Sequence, residues 1–232
     1  MHCRICGSGE ENLSIRADYV FGGNKDDNFW HCKNCDVIFL YPIPSVEEEK
    51  QFYLKEFEKF MSKRVGDHRD WSNAEQHKVT NQDQVIRRMK FLKDFVKTDT
   101  EILEIGCSSG FMLDEFKKKG SNCTGVEPSG EFGDFLSQSG HKYVDDIEEL
   151  RGNKYDLITH FFVFEHMRDP FKFLKTTHEM LNENGVHICE IPCCEDALTS
   201  LYNIPAFEKF YWSKAHHYYY NFNSLQFILN KM

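Results

Sequence analysis

The sequence predicts an α/β protein: a doubly wound, mostly parallel sheet preceded by a small four-cysteine segment. Three observations predict it. Strand and helix signals alternate from residue 100 onward, a glycine turn follows the first of those strands at once, and two C-x-x-C pairs occupy the first 35 residues. Alternation of this kind argues for parallel strands covered by helices.

The N-terminal segment comes first. Cys3-Arg4-Ile5-Cys6 and Cys32-Lys33-Asn34-Cys35 each place two thiols on a tight turn, and Gly7 supplies the backbone freedom for the first. Two such knuckles brought together make a tetrahedral sulfur site, which zinc favours. Four thiolates leave no open position for water, so the reading is one structural zinc held by Cys3, Cys6, Cys32 and Cys35. His2 and His31 flank the knuckles as surface neighbours. Tyr19 to Asn24 suggests short strands and a turn, and Val37 to Tyr41 a strand that ends at Pro42.

Ser45-Val46-Glu47-Glu48 is a capping box that opens a helix expected to run to about Met61. Residues 62 to 78 are polar, with His68, Trp71 and His77 and no clear period; they read as a connection or a substrate-side lid. Val85, Ile86, Met89, Leu92, Phe95 and Val96 recur at helical spacing. The expected divisions are 1–44, 45–97 and 98–232.

In the third division, strands are expected at 101–105, 123–127, 142–144, 156–161 and 186–191. Helices are expected at 110–119, 129–139, 169–183 and 224–231. The first strand carries Glu104 and runs into Gly106-Cys107-Ser108-Ser109-Gly110. Glycines admit close approach of the backbone to a ligand, and the helix start offers unpaired N–H groups. Glu127 closes the second strand before Pro128, where doubly wound folds place an acid on ribose hydroxyls. Asp145 and Asp146 close the third strand, and Phe161 and Phe162 the fourth.

Composition bounds the partners. The formal net charge of -9 argues against a nucleic-acid ligand, which draws on clustered Lys and Arg. No run reaches the roughly 18 apolar residues of a membrane span. The start Met1-His2-Cys3-Arg4 lacks the apolar core of a secretory leader, so the paired cysteines predict a reduced, cytoplasmic metal protein.

The order E-I-G-C-S-S-G, G-V-E-P-S, Y-D-L-I, V-F-E-H-M-R-D-P and L-N-E-N-G-V resembles class I S-adenosylmethionine-dependent methyltransferases over residues 100 to about 192. The C-R-I-C-G and C-K-N-C segment is similar to the zinc-binding part of some bacterial members, among them sugar C-methyltransferases and enzymes of surface-polysaccharide pathways. The resemblance implies a Rossmann-like methyltransferase fold using S-adenosylmethionine and releasing S-adenosylhomocysteine. It implies that Gly106, Cys107 and Gly110 face the methionine part through their backbone, with Glu104 helping to hold that end. Glu127 would take the ribose, Asp145 or Asp146 the adenine, and Phe161 and Phe162 would wall the methyl group. Ser108 stands where the family's glycine-rich turn usually has its middle glycine. A nicotinamide enzyme would need glycine at 108 and 111, where this chain has Ser108 and Phe111.

The implied function is methyl transfer to a small polar acceptor, most plausibly a sugar, nucleotide sugar or capsule precursor, by a monomer or homodimer. Glu165, His166 and His217 are the candidate catalytic residues, with His216 beside them as a candidate base and His68, His77 and Tyr53 more remote. In sugar C-methyltransferases a Tyr-His-Glu-His run carries the base on its last histidine. Here the run reads Lys214-Ala215-His216-His217, so O- or N-methylation is favoured over C-methylation. The aromatic stretch Phe207 to Phe222 reads either as an acceptor platform or as a packed cap. No pair of closing strands is evident after residue 192, which suggests a missing C-terminal portion. The competing functions are an RNA methyltransferase whose zinc segment grips substrate and a non-catalytic zinc-bearing adaptor.

Overall fold

The computed structural model describes residues 1–56, 59–61, 63 and 73–232. The strands are β1 (Leu13–Ala17), β2 (Asn28–Cys32), β3 (Ile38–Tyr41), β4 (Glu101–Ile105), β5 (Asn122–Val126), β6 (Lys142–Val144), β7 (Tyr155–Phe161), β8 (Leu181–Glu190) and β9 (Tyr218–Tyr219). Contacts divide the chain into two compact units: 1–60 with 164–172 and 191–232, and 61–163 with 173–190.

The second unit is the expected parallel sheet, in the order β6-β5-β4-β7-β8. The chain steps outward from β4 to β6, then returns to β7 on the other side of β4. That reversal opens a crevice beyond the carboxyl ends of the central strands. β4 reads EILEI because both of its faces are covered, and Ile102 and Leu103 are fully buried. Phe111, Met112, Leu113 and Phe116 of the helix Phe111–Lys118 pack on the same core with Val85 and Leu92 of the helix Gln82–Leu92.

The first unit is a four-stranded antiparallel sheet, β1-β2-β3-β9. Residues 19–24 form the connection between β1 and β2 rather than strands of their own. The capping box of Ser45 and Glu48 is present, but the helix it opens is Val46–Gln51, followed by a wider π turn over Phe52–Glu56. His68 and Trp71 lie outside the described residues.

By contacts, residues 191–232 group with the N-terminal segment, where β9 pairs with β3: Ile38 faces Tyr219 and Phe39 faces Tyr218. Of the two readings of the aromatic stretch, burial favours the packed cap. Tyr211, Trp212, Tyr218, Tyr219 and Tyr220 are buried, and Tyr219 meets Phe29 and Trp212 edge-on at 5.1 and 4.8 Å. Among the described residues no helix is long and apolar enough to cross a membrane.

Candidate cofactor site and metal centre

The cofactor candidates converge at the tips of β4, β5 and β6. β4 ends in Gly106, whose φ of 71° is left-handed backbone; a Cβ there would stand 2.6 Å from Val163 Cγ2. Gly110, at φ 73°, starts the helix Phe111–Lys118 with no side-chain cap, leaving first-turn N–H groups for a ligand. The N–H groups of Gly106 and Cys107 both donate to the Val126 carbonyl, and that of Gly110 donates to Cys107. These three residues therefore contribute close approach rather than donors. The Cys107 thiol is buried, where burial pushes its pKa well up.

Glu127 grips the turn from β5. Its carboxylate accepts from the Ser108 N–H at 2.8 Å and the Ser129 N–H at 3.0 Å. Burial raises its pKa, and those two N–H groups oppose the rise. Glu104 is 2% exposed, and its Oε2 has no hydrogen-bond partner. Burial pushes its pKa up to about 8; Arg88 works against that and Glu127 adds to it. Pro128 is exposed beside Glu127.

The structure divides Asp145 from Asp146. Asp146 caps the turn Ile147–Leu150, accepting from the Glu148 N–H at 3.0 Å and receiving Glu149 on its own N–H. Asp145 is exposed and close enough to raise the pKa of Glu127. Phe161 lies under the Arg88 guanidinium at 4.1 Å, and Phe162, at φ 58° and 44% exposed, donates its N–H to the Glu190 carbonyl.

Sequence reasoning missed Arg88 and Ser109, and the contact that His77 makes with Ser109. Arg88 donates Nε to Glu190 Oε2 at 3.0 Å from the buried side of its helix. His77, considered only as a remote base, bonds Ser109 Oγ through Nδ1 at 2.9 Å and packs beside Phe111 and Phe132. Ser109 is fully buried under it, inside the glycine turn. The only sequence signal was the helical spacing that put Arg88 three residues after Val85.

The donor chemistry of this site fits S-adenosylmethionine. Toward the ribose and methionine ends it carries hydroxyls and an ammonium, which donate, and a carboxylate, which accepts and suits the uncapped helix start at Gly110. The site presents two buried carboxylates, one with an unpartnered oxygen.

In the first unit, the four cysteines place their sulfurs within 4.8 Å of one another, with Cys3–Cys35 and Cys6–Cys32 each at 3.5 Å. A tetrahedral zinc with Zn–S near 2.3 Å needs edges of about 3.8 Å, so the cluster fits it. Both knuckles end in left-handed backbone, Gly7 at φ 77° and Asp36 at φ 60°. Asp36 is held there by His31 Nε2 at 2.6 Å, Asn221 Nδ2 at 2.7 Å and Asn223 Nδ2 at 3.0 Å. Among the other cysteines, Cys107, Cys123 and Cys194 are buried, while Cys189 and Cys193 are exposed.

The catalytic candidates also belong to this unit. Glu165 is fully buried, and His166 Nε2 is 3.9 Å from its Oε1. The Nδ1 atom of His166 lies 2.7 Å from the Ala215 carbonyl, which can only accept, so Nδ1 carries a proton. Tyr53 brings its hydroxyl to 3.2 Å from the same Nδ1. His217 differs. Arg4 donates to its Nδ1 at 3.3 Å, and its Nε2 donates to Glu49 at 3.1 Å. With both nitrogens engaged and 4% exposure, His217 holds structure and offers no lone pair to an acceptor. Arg168 completes that network on Glu49 at 3.0 Å and the Pro44 carbonyl at 2.7 Å.

Comparison with known proteins agrees with this geometry. Residues 76–231 match the family described as Methyltransferase domain. Similar curated proteins are named Ubiquinone biosynthesis O-methyltransferase: one from Ruegeria pomeroyi is 27% identical over 38% of this chain and 39% of its own length. One from Azorhizobium caulinodans is 30% identical over 38% of each chain. This chain thus matches about two fifths of the length of those relatives. Among solved structures, a SAM-dependent methyltransferase from Archaeoglobus fulgidus superposes with a TM-score of 0.54 at 23% identity, covering 76% of this chain and 73% of that one. Magnesium protoporphyrin IX methyltransferase from Synechocystis PCC 6803, with bound SAH, gives 0.55 at 17% identity, covering 79% and 86%. These likenesses establish the fold.

Proposed function

Because the chain belongs to the methyltransferase-domain family, we propose that this S-adenosylmethionine-dependent methyltransferase methylates an oxygen or nitrogen of a small polar acceptor. The acceptor class we infer is a sugar, nucleotide sugar or surface-polysaccharide precursor. The observation that carries the cofactor part is the pair of buried carboxylates, Glu104 and Glu127, at the tips of adjacent parallel strands. The acceptor class rests on the resemblance of the four-cysteine segment to sugar-pathway enzymes. The curated relatives are named O-methyltransferases, which favours oxygen as the accepting atom.

The residue roles follow from chemistry. S-adenosylmethionine supplies a sulfonium methyl with a good leaving group, so the protein's task is alignment and, where needed, proton removal. Glu127 accepts from the ribose hydroxyls while its backbone partners keep it in place. Glu104 faces the methionine ammonium with its unpartnered oxygen. Asp145, left free by the capping role of Asp146, meets the adenine side. Gly106, Cys107 and Gly110 let the cofactor lie against the backbone, and Phe161 and Phe162 exclude water from the methyl. His166 and Glu165 are the residues we assign to the acceptor; they follow Phe162 by four and three positions. One zinc on the four cysteines holds the knuckles.

The test is an incubation of protein and S-adenosylmethionine with pooled sugars, nucleotide sugars and polysaccharide precursors, followed by mass spectrometry. A product heavier by one methyl, formed with stoichiometric S-adenosylhomocysteine, is the expected result. Methylation of RNA or of no pooled compound would overturn the acceptor class.

A further inference from the structure

A second group of metal-ligating side chains lies outside the cysteine cluster. Glu165, His166 and His216 each place one ligand atom within 4.8 Å of the other two. The turn Phe164–His166 is fastened to the loop before β9: the His217 N–H donates to the Glu165 carbonyl at 2.8 Å, and His166 donates Nδ1–H to Ala215. The rings of His166 and His216 meet edge-on at 4.7 Å. An imidazole that gives one N–H to a backbone carbonyl has its tautomer and orientation fixed, as metal-binding histidines do. The Glu165 side chain is fully buried beside the two imidazoles. The His166 side chain keeps 23% of its surface exposed, which leaves a route for an ion. The Nε2 to Oε1 separation of 3.9 Å is about half an ångström above the edge of a tetrahedral site with ligands about 2.1 Å from the metal.

We propose that Glu165, His166 and His216 bind one divalent cation of the zinc, manganese or cobalt class, separate from the ion on the four cysteines. Two imidazoles and a carboxylate suit such borderline ions, whereas four thiolates select a soft tetrahedral site. Three protein ligands leave a fourth position open, the pattern of a working rather than a purely structural site. On the methyltransferase reading, that position is open to a hydroxyl-bearing ligand.

Cobalt distinguishes the two sites. With the cysteine site holding its zinc, added Co²⁺ is expected to give visible d–d absorption without a thiolate charge-transfer band, and elemental analysis is expected to find cobalt beside a full complement of zinc. His216→Ala and His166→Ala should each weaken cobalt binding more than about tenfold, with the cysteine zinc retained as the sign that the unit is folded. Should either variant lose that zinc, Glu165→Gln, which keeps the side-chain shape, makes the same test. No d–d absorption at saturating cobalt, or a band unchanged in the folded variants, would show that Glu165 and His166 form only an ion pair. Titration of S-adenosylhomocysteine into the same samples reports on the cofactor site separately.

Discussion

Glu127 already accepts two backbone N–H groups, so it is positioned before any ribose arrives. Glu127→Ala is expected to weaken S-adenosylhomocysteine binding by about 1.5–3 kcal/mol, the usual loss for hydrogen bonds to a charged group; calorimetry reads it directly. Glu104 makes a pH prediction. Its folded pKa, about 8, lies above the ordinary 4.5, so the folded chain holds a proton that the unfolded chain releases. Stability from this group is greatest below the unfolded value and declines as pH rises toward the folded one. Melting curves across this window should fall more steeply for the native protein than for Glu104→Gln; equal slopes would place the burden on other groups. The positions of both acids were legible in the sequence because each lies at the carboxyl end of an apolar run, Glu104 just before the glycine turn and Glu127 just after β5. Arg88 was not, because its partner Glu190 lies 102 residues away and only the folded sheet brings them together.

The glycine turn and the cysteine knuckles are the elements that carry the sites. Gly106 combines left-handed backbone with a Cβ position 2.6 Å from Val163, so Gly106→Ala should destabilise the protein by roughly 1–3 kcal/mol and weaken the cofactor with it; a denaturant melt gives the first quantity. In the second knuckle Asp36 stands where the first has glycine. Asp36→Gly keeps the backbone and loses three side-chain bonds, whereas Asp36→Ala loses the bonds and strains the backbone. Metal affinity should therefore fall further in the alanine variant, as a competing chelator would measure. The strands of the parallel sheet were legible because each is a short apolar run ended by an acid or a turn. The two-residue strand β9 was not. Tyr218 and Tyr219 carry no period, and their pairing with Phe39 and Ile38 spans most of the chain.

At the scale of the whole molecule, the parallel-sheet core and the placing of Glu104 and Glu127 near the strand tips were readable from residue order, but the partition of the chain was not. Residues 164–172 and 191–232 leave the sheet and build a unit with 1–60, a long-range closure that no local pattern announces. The surroundings of the histidines followed the same rule: only tertiary partners show that His166 gives Nδ1–H to Ala215 and that His217 engages both nitrogens. Since Trp212 and Tyr218 to Tyr220 pack in the unit that holds the four cysteines, removing the zinc should lower their near-ultraviolet circular dichroism; an unchanged spectrum would mean that the metal does not hold this unit together. The central claim is that the tips of β4 and β5 bind S-adenosylmethionine, and titration of S-adenosylhomocysteine by calorimetry tests it most directly. Saturable heat at one site per chain, displaced by S-adenosylmethionine and diminished in Glu127→Ala, is the result expected; no heat and no competition at high ligand concentration would contradict it.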